Sequence, residues 1–330
     1  MLLKPQVLSL VLASALSAGL VAYAARWGVA ILLRWDLASG SARQLELERR
    51  TVLVSTLVSY ALALELANLF LFVRTADGLA PLLTGAMCAA GTLGANGYGY
   101  PALVVKLLAF VLAGLWLVLN HADAQGRDFP LVRVKYQALL ALAPLVAADL
   151  WLTLAYFSLV KPAVITSCCG SLFGAGGAGL GAELASAPAQ GMALALYGVL
   201  GGALLLAGLF LRTGRGAWPL AALSAAGLPV GLAAVVSFVS PYLYELPTHH
   251  CPFCLLQREY GYLGYPLYLA LLAGTVAGAG VGILQPFRGI QTLAVTLPRL
   301  QRRLAAVALA GTAGFLALVT WGVLTSNLKT

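Results

Sequence analysis

Residues 102–120 read Ala-Leu-Val-Val-Lys-Leu-Leu-Ala-Phe-Val-Leu-Ala-Gly-Leu-Trp-Leu-Val-Leu-Asn, with Lys106 as the single charge. The hydrocarbon core of a bilayer needs roughly 20 apolar residues of helix, and this run meets that length. Seven further runs do the same, at 6–33, 51–73, 134–160, 192–211, 218–244, 263–284 and 304–326. Together they predict an all-α polytopic membrane bundle of about eight spans. The first run contains Ala22-Tyr23-Ala24, which resembles a leader-peptide cleavage site. Its apolar character continues through Trp27 and Leu33, so it reads as an uncleaved span.

Composition agrees. The chain has 330 residues, 61% hydrophobic and 9% charged, where soluble domains carry about 25% charged residues. The net charge of +9 comes from 20 basic against 11 acidic residues. These basic residues cluster between apolar runs, so they read as topology signals. No basic-aromatic strip or phosphate loop occurs, which argues against nucleic acid and ATP as partners. The lipid bilayer is the partner the composition implies. One integral membrane domain, 1–330, is expected, with a second arrangement as two halves, 1–165 and 190–330, joined by a Gly/Ala-rich outer loop.

Loops one, three, five and seven carry 13 Lys and Arg, among them Arg49, Arg50, Arg133, Lys135, Arg302 and Arg303. The opposite face carries 5, namely Lys4, Arg74, Lys161, Arg258 and Lys329. The richer side is expected to be cytoplasmic. Both termini then lie outside, in a membrane of the bacterial inner (plasma) type. This orientation puts Cys88 of loop two, Cys168 and Cys169 of loop four, and Cys251 and Cys254 of loop six on the outer face, where disulfides are permitted.

Loop six runs into the seventh span as His249-His250-Cys251-Pro252-Phe253-Cys254-Leu-Leu-Gln257-Arg258. Pro252 suits a first helical position, which would make Cys251 the N-cap. A thiol there feels the positive end of the helix dipole and is more readily ionised. Arg258, four residues after Cys254, would share its helical face and steady a thiolate or an anionic ring. The thiolate is the nucleophile of disulfide exchange. No His follows the second Cys, which speaks against a c-type haem. A structural disulfide and two idle thiols are the plainer readings.

The segment Cys251-Pro-Phe-Cys254-Leu-Leu-Gln257-Arg258 resembles the C-x-x-C-x-x-[QE]-R segment of the DsbB/BdbC disulfide-forming membrane proteins, distant relatives of vitamin K epoxide reductase (VKOR). The resemblance implies a cysteine pair at the extracytoplasmic end of a span that passes electrons to a quinone, with Arg258 beside the quinone. It covers about eight residues and the helix after them. That family is a four-helix bundle with a second cysteine pair after its last helix, where this chain has no Cys.

Other features surround the motif. Tyr242, Tyr244, Tyr260, Tyr262, Tyr265 and Tyr268 crowd it as an interfacial aromatic belt. Some of them, Tyr262 and Tyr265 foremost, could wall a quinone pocket. Loop two repeats the Tyr-Pro of loop six as Tyr100-Pro101, 12 residues after Cys88, and this hints at a four-plus-four duplication. Adjacent Cys168 and Cys169 are strained as a mutual pair and more plausibly take outside partners. One could resolve a disulfide with Cys88 or accept electrons from Cys251 and Cys254. Intramembrane charges fall at Arg26, Glu65, Lys106 and Asp149, with Glu65 and Lys106 at matching depth as the expected pair, either structural or a proton relay.

Three functions remain open on these residues. The first is a membrane thiol–disulfide oxidoreductase, coupled to quinone and serving an extracytoplasmic thioredoxin-like protein. The second is a soft-metal (Cu, Zn or Hg) binding or transport protein with His249, His250, Cys251, Cys254, Cys168 and Cys169 as ligands. The third is a non-enzymatic subunit whose outer loops are stapled by disulfides.

Overall fold

The computed structural model describes residues 1–36, 39, 41–126, 128–161, 166, 173 and 180–328. Among them are eight helices long and apolar enough to cross a membrane, and no strand. The fold is an all-α membrane bundle. The spanning helices are α1 (Pro5–Arg34), α2 (Ala42–Leu79), α4 (Gly99–Asp123), α5 (Val132–Leu159), α7 (Ala189–Thr213), α8 (Ala217–Ala234), α10 (Gly264–Ile283) and α11 (Thr296–Thr325). Short helices α3 (Ala89–Leu93), α6 (Leu180–Ala185) and α9 (Ser240–Tyr244) lie between them. A π-turn, Val235–Val239, joins α8 to α9, so that one span runs from Ala217 to Tyr244.

Two helices begin well before their apolar runs. In α2 the extra turns, Ala42–Arg50, are held by polar contacts. Gln44 Nε2 donates to Glu48 Oε1 at 3.0 Å, Glu46 pairs with Arg50, and the Arg50 guanidinium lies 3.9 Å from the Trp27 ring centroid. In α11 the extra turns carry buried Gln301, whose Nε2 donates to Val281 O at 2.8 Å. Hydropathy marks only the stretch that meets lipid, while the helical hydrogen-bond pattern continues into the interface.

The chain divides into two compact units. The first comprises Met1–Thr75, Asn96–Lys161 and Phe287–Leu297. Its core draws Val21 and Ile31 from α1, Val58 and Leu62 from α2, Trp116 from α4, and Tyr136 and Leu139 from α5. Lys106 is 1% exposed, and its Nζ lies 2.8 Å from Asp149 Oδ2. Ser14 Oγ approaches the same oxygen, and Asn68 Nδ2 donates to Ser14 Oγ at 2.7 Å. The lysine therefore pairs with Asp149 rather than with Glu65 as expected. Depth could not separate two carboxylates at similar levels; the packing of α4 against α5 does. Glu65 stands beside Asp149, Lys106 and Ser17, and its carboxylate oxygens have no hydrogen-bond partner among the described residues.

The second unit comprises Ala76–Ala95, Pro162–Pro286 and Pro298–Thr330. Small residues bring its helices close, as expected where lipid gives no hydrophobic drive for helix association. A Cβ on Gly311 of α11 would meet Ala270 O of α10 at 2.7 Å. Phe210, Leu220, Val281 and Ala305 form a core from α7, α8, α10 and α11.

The charge cluster of the first unit makes a ranked expectation. Lys106→Met should be the most damaging single change, on the order of 3 kcal/mol, because it strands two carboxylates in apolar surroundings. Asp149→Asn should cost less, since Glu65 remains as counter-ion. Thermal unfolding in detergent reads the order, and equal losses would show that Glu65 does not share the lysine.

Candidate functional site

Two segments far apart in sequence build the site, both within the second unit. The first follows α2. A 3-10 turn, Ala80–Leu82, ends the helix, and Gly85 then adopts φ 87°. Only glycine serves there, because a Cβ would collide with the carbonyl oxygen of Thr166. The Thr166 N–H also donates to Thr84 O at 2.9 Å. Cys88 follows in extended conformation and leads into α3, with its carbonyl accepting from the Thr92 N–H at 3.3 Å.

The second segment follows α9. Glu245 at φ 56° turns the chain out of the helix. His250 Nδ1 lies 2.9 Å from Val236 O, inside the π-turn. A π-turn displaces carbonyls from the α-helical ladder, and here one of them takes a side-chain partner. The Tyr244 hydroxyl donates to Cys251 O at 2.6 Å, and the Tyr268 hydroxyl to Pro252 O at 2.7 Å. These tyrosines come from the ends of two spans and clamp the backbone of the C-x-x-C between them. Residues Cys254–Leu256 form one 3-10 turn and Arg258–Tyr260 a second, and α10 begins only at Gly264. Gly264 packs directly on the first turn, where a Cβ would lie 2.9 Å from Leu255 C.

One carboxylate ties the segments together. Asp77, in the last turn of α2, accepts from the Ala89 N–H at 3.3 Å and from Gln257 Nε2 at 2.9 Å. Gln257 Nε2 also donates to Met87 O at 3.1 Å. The result is a cluster of three buried thiols. Cys88, Cys251 and Cys254 are 0%, 0% and 4% exposed, and their sulfurs all lie within 4.8 Å of one another. Cys88 Sγ and Cys251 Sγ are 3.5 Å apart. A disulfide bond is about 2.05 Å long, so this is contact without a bond.

Two sequence expectations change here. Cys251 is not a helix N-cap, and the dipole argument for its acidity does not apply. The stretch between Cys251 and Gly264 is too rich in turns to continue α10 backward. Arg258 does not share a helical face with Cys254 either. Gln257 is extended (φ −87°, ψ 160°), which breaks the helical phase, and Arg258 lies exposed in the next turn. Tyr262 is also exposed, at φ 57°, with its ring centroid 6.2 Å from that of Tyr265. Cys168 and Cys169 fall outside the described residues.

His249 and Tyr244 form a T-shaped ring pair, with centroids 4.5 Å apart. Burial holds its pKa below the usual imidazole value, helped by His250 and opposed by Cys88. Its Nε2 is shielded from solvent with no hydrogen-bond partner among the described residues. Beside the C-x-x-C lies a cavity of about 180 Å³ lined by Tyr242, Glu245, Leu255, Tyr260, Leu263 and Trp321, among others. Glu245 Oε1 accepts from Asn327 Nδ2 at 2.9 Å near its rim.

Asp77 and the two clamping tyrosines carry the geometry, and sequence reasoning did not single out Asp77. Its only signal is an acid in the last turn of a helix, where the dipole disfavours it. Chemically, three sulfurs at this spacing suit thiol exchange or chelation of a soft cation. Comparison with protein-family models, curated proteins and solved structures finds no match to the chain.

In a Cys254→Ser background, mild oxidation should join Cys88 to Cys251 rapidly. Asp77→Ala should slow that step about tenfold, the equivalent of one hydrogen bond to a charged acceptor. Asp77→Asn keeps an acceptor oxygen and should stay near the parent rate. Non-reducing mass spectrometry reads the bond, and equal rates in all three would deny Asp77 its aligning role.

Proposed function

We propose that this chain is a membrane thiol–disulfide oxidoreductase whose centre is the cluster of Cys88, Cys251 and Cys254. The observation that carries the reading is the gathering of three buried sulfurs within 4.8 Å from segments 163 residues apart. Cys251 is the exchanging member. With Cys251 and Cys254 oxidised, the Cys88 thiolate attacks Cys251 Sγ. The Cys88–Cys251 bond forms, the Cys251–Cys254 bond breaks, and Cys254 leaves as a thiolate. No electrons are gained or lost, and the proton given up by Cys88 is matched by one taken by Cys254.

Net oxidation needs an electron acceptor, and a quinone fits that role. It takes two electrons and two protons as the Cys251–Cys254 dithiol becomes a disulfide, and it leaves as quinol. The cavity walled by Tyr242, Tyr260 and Trp321 suits one aromatic ring, being smaller than the roughly 300 Å³ of a drug-sized pocket. The roles expected of Arg258, Tyr262 and Tyr265 toward a quinone therefore pass, in this reading, to Tyr242 and Tyr260. Thiols this deeply buried need an intermediary to reach a thioredoxin-like partner. Cys168 and Cys169 are the proposed intermediaries, two and three residues beyond Thr166 in the chain, and Thr166 is bonded to Thr84. The reading places the site on the extracytoplasmic face of a bacterial plasma membrane, with both termini outside.

Purified, reduced protein given a short-chain quinone should yield one quinol per chain and lose two thiols. Cys251→Ser should abolish quinol formation, because Cys251 belongs to both reacting sulfur pairs. No quinol above the buffer rate, with all thiols retained, would end the quinone reading. Orientation is tested separately with single cysteines at exposed Leu246 and Val295. An impermeant maleimide should label Leu246→Cys in intact cells and Val295→Cys only after permeabilisation. The reverse pattern would invert the topology.

A further inference from the structure

Beside the three thiols stands a histidine that disulfide exchange does not use. His249 lies two residues before Cys251 and is an electrostatic neighbour of Cys88. Its Nε2 is withdrawn from solvent and bonds to nothing among the described residues. A shielded ring nitrogen without a partner is costly unless something binds it. The other histidine differs, since His250 has its Nδ1 at Val236 O.

The sulfur spacing matches one class of occupant. Zinc–sulfur bonds of about 2.3 Å in a tetrahedron set sulfurs roughly 3.8 Å apart. Cys88 and Cys251 are at 3.5 Å and the whole triad is within 4.8 Å, so small side-chain adjustments bring the three sulfurs to that spacing. The segment supplies ligands as His-x-Cys-x-x-Cys, with Cys88 from the other side. The backbone behind the ligands is already held, because Tyr244 fixes the Cys251 carbonyl and its ring packs against His249. Such outer contacts orient metal ligands elsewhere.

We propose that the reduced cluster, completed by His249, is a Cys3His site for a thiophilic d10 cation, and that zinc(II) is the ion it fits. Three thiolates and a neutral imidazole around Zn²⁺ leave one net negative charge, with the displaced thiol protons released to solvent. Four protein ligands leave no open position, so the ion closes the site rather than catalysing there. Binding itself does not depend on the oxidoreductase reading. Its regulatory consequence does rest on that reading: a bound ion takes the same electron pairs that a disulfide would use. Zinc and oxidation are then mutually exclusive, and the ion holds the centre reduced.

The test uses the full chain in detergent, reduced and freed of metal, titrated with Zn²⁺ against a chromophoric chelator. One equivalent should bind, and none after diamide oxidation. His249→Ala should weaken binding at least tenfold, and Cys88→Ser should weaken it further. Cobalt(II) in place of zinc should give the sulfur-to-metal charge-transfer band and intense visible absorption of tetrahedral thiolate coordination. The unmutated protein offers a control that does not depend on a variant folding. Bound zinc should protect Cys88, Cys251 and Cys254 from alkylation and leave Cys168 and Cys169 reactive. The proposal is overturned if reduced protein binds no zinc, if Cys88→Ser binds as tightly as the parent, or if His249→Ala has no effect. Zinc binding without quinol formation would leave this site standing and remove the quinone reading; quinol formation without zinc binding would do the opposite.

Discussion

A backbone amide in hydrocarbon has no water to turn to, so each segment that crosses must satisfy its own hydrogen bonds. Eight helices of this chain obey that constraint, and the rest of the structure follows from it. Among the described residues, irregular backbone gathers at the helix ends, apart from the π-turn Val235–Val239 inside the span Ala217–Tyr244. The 3-10 turns at Cys254–Leu256 and Arg258–Tyr260, the left-handed residues Gly85, Glu245 and Tyr262, and the short helix Ala89–Leu93 all lie between spans. Chemistry that needs turns and close sulfur contacts is thereby driven to the same places.

At those ends, polar side chains replace the helical ladder as the organising bonds. Asp77 gathers the turn before Ala89 and the side chain of Gln257 on one carboxylate. Tyr244 and Tyr268 hold successive carbonyls of the C-x-x-C. None of these is a thiol, yet together they decide how far apart the thiols stand. Within the first unit, Lys106, Asp149, Ser14 and Asn68 form the analogous internal network, with its polar atoms buried on all sides.

The fold was largely legible in the sequence because span length and hydropathy are bulk requirements, counted without knowing any contact. The run 102–120 needed only three residues at each end to become Gly99–Asp123. The α2 and α11 starts were missed because residues such as Glu46, Arg50 and Gln301 are polar, and hydropathy is blind to helices that leave lipid. The site was legible in part. Cys88, Cys251 and Cys254 could be named, and span parity put them on one side. Their convergence could not be read, since it depends on Asp77 and Gln257, 180 positions apart. The helical phase assumed from Cys251 to Arg258 failed because proline at 252 permits a helix start without requiring one. The Lys106 partner failed for a related reason: depth along a span follows from counting, whereas which helix it faces does not.

The π-turn at Val235–Val239 sets the rotational phase of everything after it. Such a turn accommodates one residue more than the α-helical turn it replaces, and each residue advances a helix by about 100° and 1.5 Å. Removing one residue from this segment would leave a span still long enough to cross the bilayer. It would also swing Tyr244 more than a quarter-turn away from the Cys251 carbonyl and erase the displaced carbonyl that His250 uses. The span therefore carries its membrane role and its alignment role on separate features, and a change of chain length by a single residue can abolish one while sparing the other. Length variation at this point is thus a sharper indicator of whether a related sequence keeps the thiol centre than the presence of the cysteines themselves.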